Sequence, residues 1–360
     1  MSQRIVSLQA LRFVAAAMVV AFHASCWAMF GAAVECPVDR GWGVGGAGVD
    51  IFFVISGFVI TFTGPLATPR PTGARFFWRR WSRVAPMFFL LSAPFIAIAA
   101  ATGGLNWPQT AATFLFWPAA GPILVQPYLH AGWTLGFEML FYTAMSLALV
   151  GGRLARNLAI LAAALAAAAV ASRLVDWNGL RVLANPIFVE FAAGAGLAML
   201  WPRLRTAPVA LGWAMIALAI ALLAAGAVIG VGDVSWQTTL ENTNAWARVA
   251  VFGAPGALLV AGACICDRVL KGPAVAAVAW LGDASYSLYL SQAFSVPAAS
   301  LLWFQVFGRS HLALTGIASF AIAVAAGAAV YRWIERPIQK DLRRVRFGRA
   351  PSTVGSGGVA

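Results

Sequence analysis

Ten stretches of roughly twenty mostly apolar residues decide what this chain can become. They fall at about 6–28, 48–65, 84–102, 133–150, 156–172, 184–201, 208–231, 247–267, 283–306 and 312–334. In a bilayer every backbone N–H and C=O must be satisfied within the protein, so stretches of this length become helices. The expected fold class is all-α, a polytopic membrane helical bundle of about ten transmembrane helices. Composition agrees. Apolar residues make up 61% of the chain and charged residues 10%, against about 45–50% and 25% in soluble domains. Residues 108–127 break the pattern. They carry Phe114, Phe116 and Trp117 among Pro108, Pro118, Pro122 and Pro127, which predicts an interfacial or re-entrant element. The first apolar stretch is interrupted by Arg12, runs past Phe22 and shows no small-residue cleavage site. It reads as a span and not as a signal peptide.

Charge placement sets the expected orientation. The formal net charge is +13, from 25 Lys plus Arg against 12 Asp plus Glu. With ten spans, 19 of the basic residues fall on the side of the two termini and five on the other, with Arg12 inside the first span. Positive residues collect on the cytoplasmic side, so both termini are expected there. An odd number of spans would destroy this asymmetry. Because the charge sits in short loops and a tail, it marks topology and not nucleic acid. No RNA-binding or helix-turn-helix pattern is present. Residues 1–338 read as one membrane-embedded domain and 339–360 as a basic, disordered tail.

No Cys/His spacing resembles a metal site. Cys264 and Cys266 lie two apart on one helix and point about 200° apart. Cys26 and Cys36 fall near the outer surface, where a disulfide is permitted.

Ionisable groups inside spans are costly, roughly 2.5–3.5 kcal/mol each at the helix centre. They persist when paired or functional. Four stand out: Arg12, His23, Asp50 and Glu138. Arg12 and His23 are eleven residues apart, which returns them to within about 20° of one helix face, about 16 Å apart along the axis. Asp50 opens the second span at nearly the depth of His23, and Glu138 lies about one turn into a span that also starts outside. Thr134, Glu138 and Tyr142 share a face at i, i+4, i+8. A base converging with two carboxylates suits general acid–base chemistry. Blander roles are open too: Arg12 as a snorkelling cation, His23 as a packing residue, Asp50 as a first-turn acid. On the inner side, Arg75, Arg79, Arg80 and Arg83 precede the third span, Ser285, Tyr286 and Tyr289 open the ninth, and Arg332 and Arg336 flank Glu335. Guanidinium clusters suit phosphates, and equally anionic lipid.

These segments, in order, resemble the acyltransferase-3 family of bacterial integral-membrane acyltransferases. Leu8-Gln9-Ala10-Leu11-Arg12 through Phe22-His23 resembles its Arg-x10-His signature. Gly48-Val49-Asp50-Ile51-Phe52-Phe53-Val54-Ile55-Ser56-Gly57-Phe58 follows. Then come Arg79-Arg80-Trp81-Ser82-Arg83-Val84-Ala85-Pro86, Trp133-Thr134-Leu135-Gly136-Phe137-Glu138 with Phe141-Tyr142, Leu281-Gly282-Asp283-Ala284-Ser285-Tyr286-Ser287-Leu288-Tyr289-Leu290 and Glu335-Arg336-Pro337. The resemblance covers about residues 5–338. Gly132-Trp133-Thr134-Leu135 with Glu138-Met139, and Asn185-Pro186 with Glu190-Phe191, look most like the exopolysaccharide-production branch. Gly136-Phe137 replaces a more polar pair, and Gln292 stands where a His often follows; both leave the acceptor open.

The resemblance implies an acyl group, most simply acetyl, carried by coenzyme A as co-substrate. It implies a sugar hydroxyl as acceptor, free or lipid-linked, and residence in the bacterial cytoplasmic membrane. His23 would be the base, with Asp50 or Glu138 orienting it. Arg12, Arg79, Arg80, Arg83, Tyr286 and Tyr289 would hold the donor, and Trp133, His130 and Tyr142 the acceptor. An acyl-histidine relay is the chemical alternative. A transporter or flippase is the functional one, since intramembrane charges also mark transport pathways; no inverted repeat of broken helices supports it. A non-catalytic membrane scaffold or sensor is a third.

Overall fold

A computed structural model describes residues 5–31, 42–120, 123–229 and 236–342. It is an all-α bundle. The helices are α1 (Val6–Phe30), α2 (Ala47–Thr63), α3 (Gly73–Ala101), α4 (Trp107–Leu115), α5 (Gly132–Ala148), α6 (Leu154–Ala171), α7 (Asn178–Leu183), α8 (Phe188–Met199) and α9 (Trp201–Leu204). There follow α10 (Val209–Ile229), α11 (Trp236–Leu240), α12 (Ala245–Arg248), α13 (Ala254–Cys266), α14 (Pro273–Asp283), α15 (Ser285–Phe307), α16 (Leu312–Val330) and α17 (Arg336–Leu342). Among the described residues nine helices are long and apolar enough to cross a membrane. The tenth expected span, 133–150, is α5, which has 17 residues. The expected tail begins within α17, and residues 343–360 lie outside the described residues, as do Arg40 and Cys36. Cys26 is disulfide-bonded, while Cys264 and Cys266 are buried and free.

Local chemistry sets the ends of these helices. Gly31 adopts the left-handed conformation after α1 and returns its N–H to the Trp27 carbonyl. At the other end of α1 the Ser7 N–H donates to Asp267 Oδ1 at 2.8 Å, placing a carboxylate against a helix N-terminus. Thr72 caps α3 by accepting from the Arg75 N–H. The 108–127 region forms α4 and a two-residue hairpin, β1 (Ala119–Ala120) against β2 (Ile123–Leu124), with Ala119 opposite Leu124. Pro108 does not interrupt α4. It sits in the first turn, where its missing N–H has no helical partner to lose. The chain leaves α4 at Phe116, in the left-handed region at φ 55.

The bundle is built around α2 and α13, most of whose residues are buried. No residue of α6 is buried, which places it on the lipid-facing periphery. The contact between α2 and α8 is backbone to backbone. A Cβ on Gly57 would stand 2.0 Å from the Phe191 carbonyl oxygen, and one on Gly194 1.9 Å from that of Val54. Small residues permit such close crossings in membranes, where dispersion replaces the hydrophobic drive between helices. Contacts at one end of the bundle join Gln9 to Gly282, Phe76 to Gly64, Ser146 to Gly73 and Ser7 to Asp267. This end carries the arginines of α3 and is the basic end.

Candidate active site

Above the basic end lies a cavity of about 90 Å³ enclosed by α1, α2, α3, α5 and α15. Arg12, Arg80, Arg83, Glu138, Tyr142, Tyr286 and Tyr289 all line it. Seven side chains singled out in sequence, from four segments far apart in the chain, therefore meet at one place. Each helix contributes at a particular level. Arg12 comes from the second turn of α1, Arg80 and Arg83 from the second and third turns of α3, Tyr286 and Tyr289 from the first turn and a half of α15.

Glu138 organises the cavity. The Ser56 hydroxyl donates to its Oε1 at 3.0 Å and the Tyr142 hydroxyl donates to the same oxygen at 2.5 Å. No described donor reaches Oε2. Arg12 and Arg80 lie within electrostatic range of this carboxylate. Arg80 donates to Thr63 Oγ1 and, at 3.4 Å, to the Val59 carbonyl, and its guanidinium stands 6.0 Å from the Tyr142 ring centre. Arg12 and Arg83 donate to no described acceptor, although each guanidinium carries five N–H donors. Both lie within electrostatic range of Glu335, and Arg12 also of Glu138. Glu335 is buried and accepts from the Ser287 hydroxyl and the Gln339 amide, both at 2.5 Å.

The tyrosines of α15 close the cavity. Tyr286 donates to the Val84 carbonyl of α3 at 2.7 Å. The hydroxyls of Tyr289 and Thr134 meet at 2.9 Å, and both reach the Ala131 carbonyl. Ala131 adjoins His130, whose Nδ1 pairs with the Gln126 amide. Burial pushes the His130 imidazole down to a pKa of about 4. His130 in turn lies within electrostatic range of His23.

Other expected members stand apart from the cavity. Arg79 is exposed and does not line it. His23 does not line it either. Its ring meets that of Phe22 edge to face at 5.2 Å, and its Nδ1 is buried with no hydrogen-bond partner. No described hydrogen bond joins His23 to Asp50 or Glu138. Glu138 sits with the arginines instead of near His23, and Asp50 is taken by another residue. Arg248 Nε donates to Asp50 Oδ1 at 2.9 Å and Arg248 Nη2 to Oδ2 at 2.8 Å, with both residues almost fully buried. Trp133 is buried beside this pair, 5.8 Å from the guanidinium. Arg248, counted with the outer side although it falls in the span expected at 247–267, and Glu190, in that at 184–201, are charges that a full count of the spans would have flagged. Ser56 and Ser287 carry no such signal.

Two comparisons bear on this arrangement. Residues 5–332 match the model of the acyltransferase-3 family, described as an acyltransferase domain. The chain is also 32% identical over 326 residues to the exopolysaccharide production protein ExoZ of Rhizobium meliloti (strain 1021), covering 85% of this chain and 94% of that protein. No solved structure matches. The family match spans every helix that walls the cavity, and this multi-pass membrane chain belongs to the acyltransferase-3 family.

Proposed function

We propose that the protein transfers an acetyl group from acetyl-coenzyme A to a hydroxyl of an exopolysaccharide or other cell-surface sugar, in the bacterial cytoplasmic membrane with both termini in the cytoplasm. One observation carries the reading: three guanidiniums face a single small buried cavity, and two of them have no described hydrogen-bond acceptor. Such donors suit an anionic or strongly polarised ligand. At about 90 Å³ the cavity is far below the roughly 300–1,000 Å³ of a pocket for a whole drug-sized ligand. It suits the pantetheine arm of the donor, with the nucleotide left at the basic end near Arg75 and Arg79 and the acyl end directed toward His23. The name of the Rhizobium relative supports a polysaccharide acceptor.

In this scheme Tyr286 and Tyr289 flank the pantetheine arm and Arg12 holds the donor as its acyl end passes on between the helices toward His23. His23, His130 and Trp133 belong to the acceptor side, whereas Tyr142, expected there too, stands in the donor cavity beside Glu138 and Arg80. His23 takes the hydroxyl proton, the oxygen attacks the thioester carbonyl, the carbon–sulfur bond breaks, and the proton passes to the departing thiolate. Its unpartnered Nδ1 and its place on the Arg12 helix support this role. Glu138 holds the guanidiniums in register.

The test is transfer by purified protein in lipid nanodiscs, supplied with labelled acetyl-coenzyme A and exopolysaccharide repeat units. Labelled ester on the sugar is the expected result, confirmed by mass spectrometry of cell-surface glycan with and without the protein. Vesicle uptake of sugar without ester formation would overturn the reading in favour of transport.

A further inference from the structure

Beside Trp133 lies a cluster of buried charge that the transfer scheme leaves without a task. Arg248, at the end of α12, makes a two-pronged bond to Asp50 and also donates to the Gly46 carbonyl at 3.3 Å. Its guanidinium lies against the rings of Trp133 at 5.8 Å and Phe252 at 5.9 Å. Glu190 of α8 completes the group. It is 1% exposed, and neither carboxyl oxygen receives an N–H or O–H. Its carboxyl is nevertheless within hydrogen-bonding reach of the Asp50 carboxyl. Two carboxyls bond to each other only through a shared proton. With one guanidinium against two acids, that proton also makes the cluster neutral. The backbone is shaped around it. A π-helical turn, Val249–Gly253, follows Arg248 directly, and a Cβ on Gly253 would stand 2.6 Å from Glu190 Oε1. Such turns concentrate at functional sites.

We infer that Arg248, clamped by Asp50, which Glu190 backs, is a positioning residue that fixes Trp133 and the first turn of α5 as the wall of the acceptor site. The inference rests on the proposed transfer to a sugar. The indole face is held by the planar cation from one side, which leaves the same turn to present Thr134 to Tyr289. Lysine would keep the charge but lose both the fork and the flat face.

The test is steady-state transfer by the full-length protein in nanodiscs, with exopolysaccharide repeat units and acetyl-coenzyme A varied in turn. Arg248→Lys should raise the acceptor KM roughly tenfold, within the range of a desolvated cation–aromatic contact, and leave the donor KM unchanged. Trp133→Leu should do the same, and the double variant should be no worse than Trp133→Leu alone, because the two act through one contact. Glu190→Ala should raise the acceptor KM, and Glu190→Gln, whose amide can donate to Asp50, should restore it. Additive effects of Arg248→Lys and Trp133→Leu, or equal rises in both KM values, would overturn the inference and leave the acceptor reading standing. An unchanged acceptor KM in Trp133→Leu would overturn both. If Arg248→Lys does not insert, the Glu190 pair decides: failure of Gln to rescue Ala overturns the shared-proton clamp.

Discussion

Replacing His23 with alanine separates chemistry from folding better than any other change in this bundle. The ring loses little when it goes. Its Nδ1 has no hydrogen-bond partner, so no buried group is orphaned. Its one aromatic contact among the described residues is the edge-to-face approach to Phe22 at 5.2 Å, worth about 0.5–1.5 kcal/mol. Alanine is well tolerated in a membrane helix, so the loss in fold stability stays near 1 kcal/mol against the roughly 5–15 kcal/mol typical of a native protein. A general base contributes about 10²–10⁴-fold to rate, or roughly 2.7–5.4 kcal/mol at 1.36 kcal/mol per tenfold. The two effects differ enough to be told apart. His23→Ala should reach the membrane at native levels, retain its detergent melting temperature within a few degrees, and lose more than a hundredfold in kcat for acetyl transfer. The assay is the initial rate of labelled ester formation, normalised to protein recovered in nanodiscs. A rate within about threefold of the native protein would refute His23 as the base. Glu138, whose Oε2 is the remaining basic atom on the cavity wall, would then be the group to test.

Other expectations follow from position. Arg80→Gln should raise the donor KM by about tenfold, since Arg80 lines the cavity and is anchored to α2, whereas Arg79→Gln, exposed and outside the cavity, should change it by less than threefold; equal effects of the two would return the arginines to a topological role. Gly194→Leu should abolish stable insertion or lower the melting temperature sharply, because even a Cβ there stands 1.9 Å from the Val54 carbonyl oxygen; a native melting curve would contradict the α2–α8 crossing. His130, held near a pKa of about 4 by burial, binds its proton more readily when unfolded, at an ordinary value near 6.5. Its contribution to stability is therefore present above about pH 6.5 and is lost as pH falls toward 4. His130→Asn should narrow the difference in melting temperature between pH 7 and pH 5, and an unchanged difference would place His130 in contact with water.

Much of this molecule is legible in its sequence, because lipid leaves few choices. Apolar length gives the long helices of the bundle, α5 among them although it has only 17 residues. Seven cavity residues are legible as well: Arg12, Glu138, Tyr142, Tyr286 and Tyr289 are polar or charged inside expected spans, and Arg80 and Arg83 belong to the guanidinium cluster that precedes the third. What sequence does not supply is pairing. Asp50 and His23 fall at similar expected depth, and depth says nothing of rotation about the bundle. The bare face of Gly253, five residues after Arg248 and on a different helix from Asp50, leaves room for Glu190 beside the Arg248–Asp50 pair.

The same reason accounts for Glu335. Helical spacing assumes 100° per residue, and that assumption fails at two places, the π-helical turns Val249–Gly253 and Tyr331–Glu335. A π turn accommodates one extra residue and rotates everything beyond it relative to the helix before it. The first follows Arg248 and the second ends on Glu335, so each adjoins a buried charge whose facing differs from a straight-helix projection. An α-helical continuation would turn Glu335 by about 100°, away from Ser287 and from the electrostatic reach of Arg12 and Arg83. Nothing in Tyr331-Arg332-Trp333-Ile334-Glu335 marks the turn, because what stabilises it is tertiary: Glu335 gains a serine hydroxyl and a glutamine amide, with two guanidiniums in electrostatic range, in exchange for one irregular turn. The charged residues of this bundle thus help to choose the helix geometry that presents them. In a medium where an unpaired ion is so costly, the ion pair can outweigh the regular backbone.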